Sequence, residues 1–142
     1  MNILIIQGPN FNLIGVRSAK YGKRVTLDKI NKGIRRYIRE KGITIKIYQT
    51  HSIEKMVTLL QRNRNWANGL ILAPSVWSTY EAILLDTLEL IAVPTIEVYD
   101  KYNNNNYAGK SLLSTVCIKT IVAPSDEMFV KGIKYLVKNI KN

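Results

Sequence analysis

Short apolar runs alternate with amphipathic stretches of helical period along the chain, and that order leaves few folds open. NILIIQ, residues 2–7, is stopped by Gly8 and Pro9 and reads as a strand buried on both faces. From Thr26 to Lys41, Leu27, Ile30, Ile34 and Ile38 recur at helical spacing, with Thr26 placed as N-cap and Gly42 as the stop. Ile43 to Gln49 alternates apolar with polar residues, predicting a second strand at a sheet edge, because Thr44 and Lys46 share its face. Residues 53–63 carry Ile53, Met56, Val57 and Leu60 on one side of a second helix. Gly69 to Leu72, Val93 to Tyr99 and Thr115 to Val122 predict strands three, four and five. The helix after strand three is expected to begin at Ser78 with Glu81 completing a capping box, and the final helix to follow Pro124 with Ser125 as its cap.

Strict alternation of strand and helix requires right-handed crossovers, and hence a parallel sheet covered on both faces. Five strands predict an α/β, flavodoxin-like three-layer sandwich with a five-stranded parallel sheet of order 2-1-3-4-5, in a single domain over residues 1–142. Ligands of such sheets sit beyond the carboxyl ends of the strands, at the switch between strands one and three. The segments to search are therefore Gln7 to Gly22, Ala73 to Thr79, and Glu97 onward.

A chain of 142 residues that is 46% apolar can fill one core. Its apolar runs are too short to cross a bilayer and MNILIIQGPN has no basic leader, so a cytoplasmic location and no membrane partner are expected. One Cys and one His exclude an internal disulfide and argue against a metal site. Cys117, in TVCIKTIV, reads as a buried structural thiol in a strand. The formal charge of +11 is uneven: residues 1–41 hold ten Lys and Arg against Asp28 and Glu40. Lys29, Lys32, Arg35, Arg36, Arg39 and Lys41 read as a solvated helix face, since no aromatic ladder accompanies them; nucleic acid is not an expected partner. DKYNNNNYAGKSLLS, residues 100–114, reads as a loop with an Asn-rich, low-complexity centre.

The first searched segment, GPNFNLIGVRSAKYG, resembles the signature of the type II 3-dehydroquinate dehydratases, whose usual pattern runs GPNLNLLG, then an Arg, then Tyr-Gly. Gly8, Pro9, Asn10, Asn12, Leu13, Gly15, Arg17, Tyr21 and Gly22 have counterparts. The resemblance continues through Thr26-Leu27, Gln49, NGLILAP, Asp86 and VPTIEV, nearly the whole chain. It implies a lyase of the shikimate pathway that dehydrates 3-dehydroquinate to 3-dehydroshikimate with no metal or organic cofactor. It further implies a homo-oligomer, a trimer or four trimers forming a dodecamer.

By the resemblance, the catalytic roles fall on Tyr21 as base, Arg17 as the cation favouring its phenolate, and Asn10 as holder of the water that stabilises the enolate. The Arg17 to Tyr21 interval is one residue shorter than usual, so a displaced Tyr21 is expected. The second segment, APSVWST, departs from a family form close to Asn-Pro-Gly-Ala-Tyr-Thr-His-Thr. Aligned on Pro74, Ala73 stands at the substrate-binding Asn, Ser78 at the Thr, and Thr79 at the His that is the general acid. A threonine hydroxyl is far too weak an acid for that role at neutral pH. Glu81 reads as part of the helix cap rather than as a replacement acid, and His51 as a surface or inter-subunit residue.

In the third segment Tyr99 replaces the family's substrate-binding His, Lys101 stands at its Ser, and Asp100 adds a negative charge where a carboxylate is usually held. Glu97 is retained, and Lys110 aligns with an Arg that faces substrate, without the planar fork. Asn12, Ala73, Ser78, Asp86, Glu97, Tyr99, Asp100, Lys101 and Lys110 are thus the expected substrate contacts. Four readings stand open: a weak or inactive dehydratase, a non-catalytic protein for small-ligand binding or assembly, a divergent lyase for another hydroxylated ring acid, and a polyanion-binding scaffold.

Overall fold

The computed structural model describes residues 1–103 and 105–140, so Asn104 of the Asn-rich loop lies outside the described residues. Parallel strands β1 (Asn2–Gln7), β2 (Thr44–Gln49), β3 (Gly69–Ala73), β4 (Thr95–Asp100) and β5 (Lys119–Ala123) form one sheet in the order β2-β1-β3-β4-β5. Helices α1 (Ile14–Ala19), α2 (Leu27–Ile38), α3 (Ile53–Asn63), α4 (Ala82–Ile91) and α5 (Met128–Asn139) connect and cover it. This is the predicted α/β architecture and strand order, with polar-faced β2 at an edge. No helix among the described residues is long and apolar enough to cross a membrane.

The period of two along the strands sorts the core into layers. Ile3, Ile5, Ile71, Ile96 and Val98 meet Ile30 and Ile34 of α2 and Phe129, Ile133 and Leu136 of α5. Leu4, Ile6, Leu70 and Leu72 point the other way, onto Met56 and Leu60 of α3 and Leu84 and Leu88 of α4. Each such fully buried side chain contributes roughly 1.5–3 kcal/mol of transfer free energy. With both faces covered, β1 has no solvent side, and its one fully buried polar residue, Gln7, sits at the carboxyl end, where its amide donates to Asn31 Oδ1 at 2.8 Å.

At the switch point Gln7 pairs with Gln49 on one side and Ala73 on the other. The Gly8 N–H donates to the Ala73 carbonyl at 2.9 Å, and a Cβ on residue 8 would come within 2.8 Å of that same oxygen. Glycine is what lets the two strand ends meet so closely.

Local chemistry moves several expected boundaries. The Thr26 hydroxyl caps α2 as expected, accepting from the Lys29 N–H at 3.2 Å. That helix ends at Ile38 rather than Lys41, because the chain turns back through left-handed Glu40 and Gly42, at φ 61° and 67°. The segment after β1, expected as loop, holds a 3₁₀ turn (Phe11–Leu13) and α1. Single anchors rather than a repeat hold it: Phe11 meets Phe129 edge-on at 5.6 Å between centroids, and Ile14 is buried.

The Ser78–Glu81 capping box does not form. Ser78 lies in a 3₁₀ turn (Ser75–Thr79) and donates to the Ser75 carbonyl at 3.1 Å, while α4 starts at Ala82 behind Glu81, whose side chain makes no cap bond. Strand β4 starts at Thr95, since Pro94 has no N–H for the ladder. Strand β5 starts at Lys119; a 3₁₀ turn (Leu113–Thr115) anchored by buried Leu113 precedes it, so Cys117 lies just outside the strand. Ser125 does not cap α5, which begins at Met128 after the Pro124 carbonyl accepts from the N–H groups of both Glu127 and Met128.

Candidate active site

The carboxyl ends of β1, β3 and β4 open onto a hollow of about 210 Å³, beside the strand-order switch. The segment after β1 supplies Asn10, Phe11, Ile14 and Arg17, because the short helix α1 turns Arg17 back over the sheet end. Strand β3 ends in Ala73, and β4 runs out into Tyr99, Asp100 and Lys101. Of the sequence-predicted site residues, the structure gathers these six: Asn10, Arg17, Ala73, Tyr99, Asp100 and Lys101.

Asn10 is left-handed, at φ 65°, and its backbone N–H donates to His51 Nδ1 at 3.1 Å. The Gln49 amide donates to the Gly8 carbonyl at 3.1 Å, so the end of β2 steadies the same loop from the other side. His51 is exposed, as expected, and this bond ties it to the rim. Burial pushes the Asp100 carboxyl above its ordinary range, against the pull of the Tyr102 N–H and of Arg17 nearby.

Beneath the hollow lies a buried polar cluster. The Tyr99 hydroxyl donates to Glu97 Oε1 at 2.5 Å, and Glu97 is fully buried. Ser78 and Ser111 lie near enough to the Tyr99 hydroxyl, and Glu97 near enough to the Cys117 thiol, to act on their protonation, while buried Glu97 Oε2 has no hydrogen-bond partner among the described residues. Burial, then the Glu97 bond, pushes the Tyr99 phenol far up, so it stays protonated as a donor. Burial likewise pushes the Cys117 thiol up, with the Glu97 charge adding to it. The cluster is internally satisfied on its Tyr99 side, which leaves Tyr99 lining the hollow with its polar end committed inward.

Tyr21 is not among the residues lining this hollow. It lines a second one, of about 160 Å³, with Tyr102, Asp126 and Glu127, and stacks on Tyr102 at 5.2 Å between ring centroids. Lys101 Nζ lies 5.1 Å from the Tyr102 centroid, and Asp100 lines both hollows. The Thr79 hydroxyl donates to the Val76 carbonyl at 2.8 Å within its own turn, and Thr79 does not line the hollow. Asn12 is exposed on the first 3₁₀ turn, Asp86 on α4 and Lys110 in the long loop, all away from the lining; Ser78 and Glu97 lie in the cluster below it.

Sequence reasoning missed Ile14 and Tyr107, which line the hollow, and the Asn-rich loop's Asn103 and Asn106, which do too. The available signal was position: the loop follows directly from β4, at the same sheet end as the other segments. Among the described residues, no three His, Cys, Asp or Glu side chains are grouped so as to hold a metal ion.

The family model described as dehydroquinase class II matches residues 1–137. A 3-dehydroquinate dehydratase of Clostridium botulinum (strain 657 / Type Ba4) is 26% identical over 141 residues, covering 98% of this chain and 96% of that protein. Another from Geotalea daltonii is 26% identical over 143 residues, covering 99% of each. The crystal structure of a type II dehydroquinase from Butyrivibrio crossotus superposes with a TM-score of 0.87 at 25% identity, covering 96% of this chain and 97% of that one. A 3-dehydroquinate dehydratase-like protein from Bifidobacterium longum, 16% identical with a TM-score of 0.68 over 98% of this chain and 99% of that one, shares the fold. Sequence, strand order and superposition agree, and the chain belongs to the class II dehydroquinase family.

Proposed function

We propose that this protein binds a small ring acid in the hollow beyond β1, β3 and β4, and that its dehydration of 3-dehydroquinate to 3-dehydroshikimate is weak or lost. The observation that carries this reading is Thr79. It stands by alignment at the family's general-acid His, is chemically unfit to donate a proton at neutral pH, and spends its hydroxyl on the Val76 carbonyl at 2.8 Å. Ala73 removes a side-chain hydrogen bond to substrate at the same end of β3.

The proton-abstracting residues keep their types. Arg17 and Asn10 line the hollow, so a substrate carboxylate or carbonyl has partners there. Tyr21, the family's base, has to leave its stack on Tyr102 to reach a ligand held by Arg17. Such a base would take a proton from the carbon beside the ketone and form an enolate, but expulsion of hydroxide then lacks an acid. Losing a positioned acid typically costs about 10² to 10⁴ in rate.

The family resemblance supports a cytoplasmic homo-oligomer, a trimer or a dodecamer of four trimers, using neither metal nor organic cofactor. The +11 charge per chain opposes close assembly and makes it salt-dependent. Light scattering that finds a monomer at micromolar concentration overturns the oligomer. Ultraviolet detection of the conjugated product, using purified protein and dehydroquinate, tests the chemistry. Slow or absent turnover is expected; a rate within about 1 to 10³ s⁻¹ overturns the proposal.

A further inference from the structure

The chemistry of the hollow's lining narrows its ligand further. Arg17 and Lys101 both line it, and neither belongs to the ion pairs found among the described residues, Lys23–Asp126 and Lys32–Asp28. The acceptors beside them already hold backbone donors. Asp100 Oδ1 accepts from Tyr102 at 3.1 Å, Asn103 Oδ1 from Asn105 at 3.0 Å, and Asn106 Oδ1 from Gly109 at 3.3 Å. Each of these oxygens has one accepting position taken, and the two cations of the rim outnumber its single carboxylate, so the charge the rim presents is net positive. That polarity suits an anion bearing acceptor oxygens.

The wall is of opposite character. Phe11, Ile14, Val98 and Met128 are buried apolar residues of the hollow, and Ala73 brings no polar group. Tyr99, the one hydroxyl that β4 contributes, already donates to Glu97. Against these apolar residues a ring hydroxyl would lose its water without recovering an equivalent hydrogen bond, whereas an apolar ring loses nothing by the same transfer, so the hydroxyls a ligand can place are limited to those that reach polar lining residues such as Asn10, Ser75 or Tyr107. The volume, about 210 Å³, is below the range of drug-sized sites and fits a single ring.

We infer that the hollow selects a ring carboxylic acid with few or no ring hydroxyls, its carboxylate met by Arg17 and Lys101 and its ring by the Phe11, Ile14, Val98 and Met128 wall. The inference rests on the ring-acid reading above and sharpens it, since the family's own substrate is heavily hydroxylated.

Calorimetric titration of the full chain with benzoate, benzyl alcohol and quinate separates the contributions. Benzoate is expected to bind at least about tenfold more tightly than either, benzyl alcohol lacking the charge and quinate bearing the hydroxyls. Arg17→Gln is expected to erase the preference for benzoate over benzyl alcohol with an unchanged circular dichroism spectrum; Lys101→Gln serves if that variant does not fold. Quinate binding as tightly as benzoate, benzyl alcohol binding as tightly, or no binding of benzoate at millimolar concentration each overturns the inference. The dehydratase assay fails independently. Rapid turnover with a benzoate preference sinks the lost-chemistry reading alone, and quinate preference without turnover sinks this one alone.

Discussion

The loop after β1 and the turn after β3 leave paired strands at neighbouring points, Gly8 bonding the Ala73 carbonyl at 2.9 Å, yet they use their polar side chains in opposite ways. In the first, Asn10 and Arg17 line the hollow. In the second, Ser78 and Thr79 donate to the backbone of their own turn, at 3.1 and 2.8 Å, and α4 follows without a side-chain cap. The same sheet end thus carries one loop that turns Asn10 and Arg17 toward the hollow and one whose Ser78 and Thr79 hydroxyls are spent on its own backbone. Substitution should therefore cost function on the first loop and stability on the second.

The largest expected effect comes from rebuilding the proposed general-acid position. Thr79→His combined with Ala73→Asn is expected to raise dehydroquinate turnover by about 10² or more, read from the product's ultraviolet absorbance. No change would mean that the turn is not the only defect and that Tyr21, stacked on Tyr102, limits the reaction.

Next comes the cluster under the hollow. Tyr99→Phe removes the donor to fully buried Glu97 and is expected to cost about 1–3 kcal/mol in urea unfolding. Ser78→Ala, losing its bond to the Ser75 carbonyl, is expected to cost about 0.5–1.5 kcal/mol, whereas Asn12→Ala, exposed on the first loop, should stay within about 0.5 kcal/mol. Equal costs at residues 12 and 78 would erase the contrast.

The smallest effect is at Asp100, whose carboxyl burial raises in the folded protein. The fold therefore favours its protonated form, and its charge opposes folding above that raised value. Asp100→Asn is expected to raise Tm modestly at pH 7. The gain should shrink as pH falls through the raised value and vanish below the ordinary carboxylate value of about 3.9. A Tm gain independent of pH would remove burial of the charge as the cause.

The sheet was legible in the sequence because each strand carries its own instruction: NILIIQ has no polar face to misplace, and the Thr44 and Lys46 face marks an edge. The short elements were not legible, because one residue holds each of them. Phe11 organises its turn through Phe129, 118 positions later, and no local pattern signals that partner. Ser78 failed as a cap for a related reason: a serine followed three residues on by glutamate has the right spacing, but complete burial gave its hydroxyl nearer acceptors. The family resemblance pointed to Arg17 and Asn10, which do line the hollow, yet the sequence could not say that Tyr21 faces a different hollow or that the Asn-rich loop would come back over the first one.

The sole cysteine sits against the buried carboxylate of Glu97, where its thiolate is disfavoured. The thiol is partly buried and held protonated, so its reaction with a coloured disulfide reagent is expected to be slow and to quicken as that packing breathes, which makes the labelling rate of Cys117 a built-in stopwatch for motion beneath the hollow, one that needs no introduced label site.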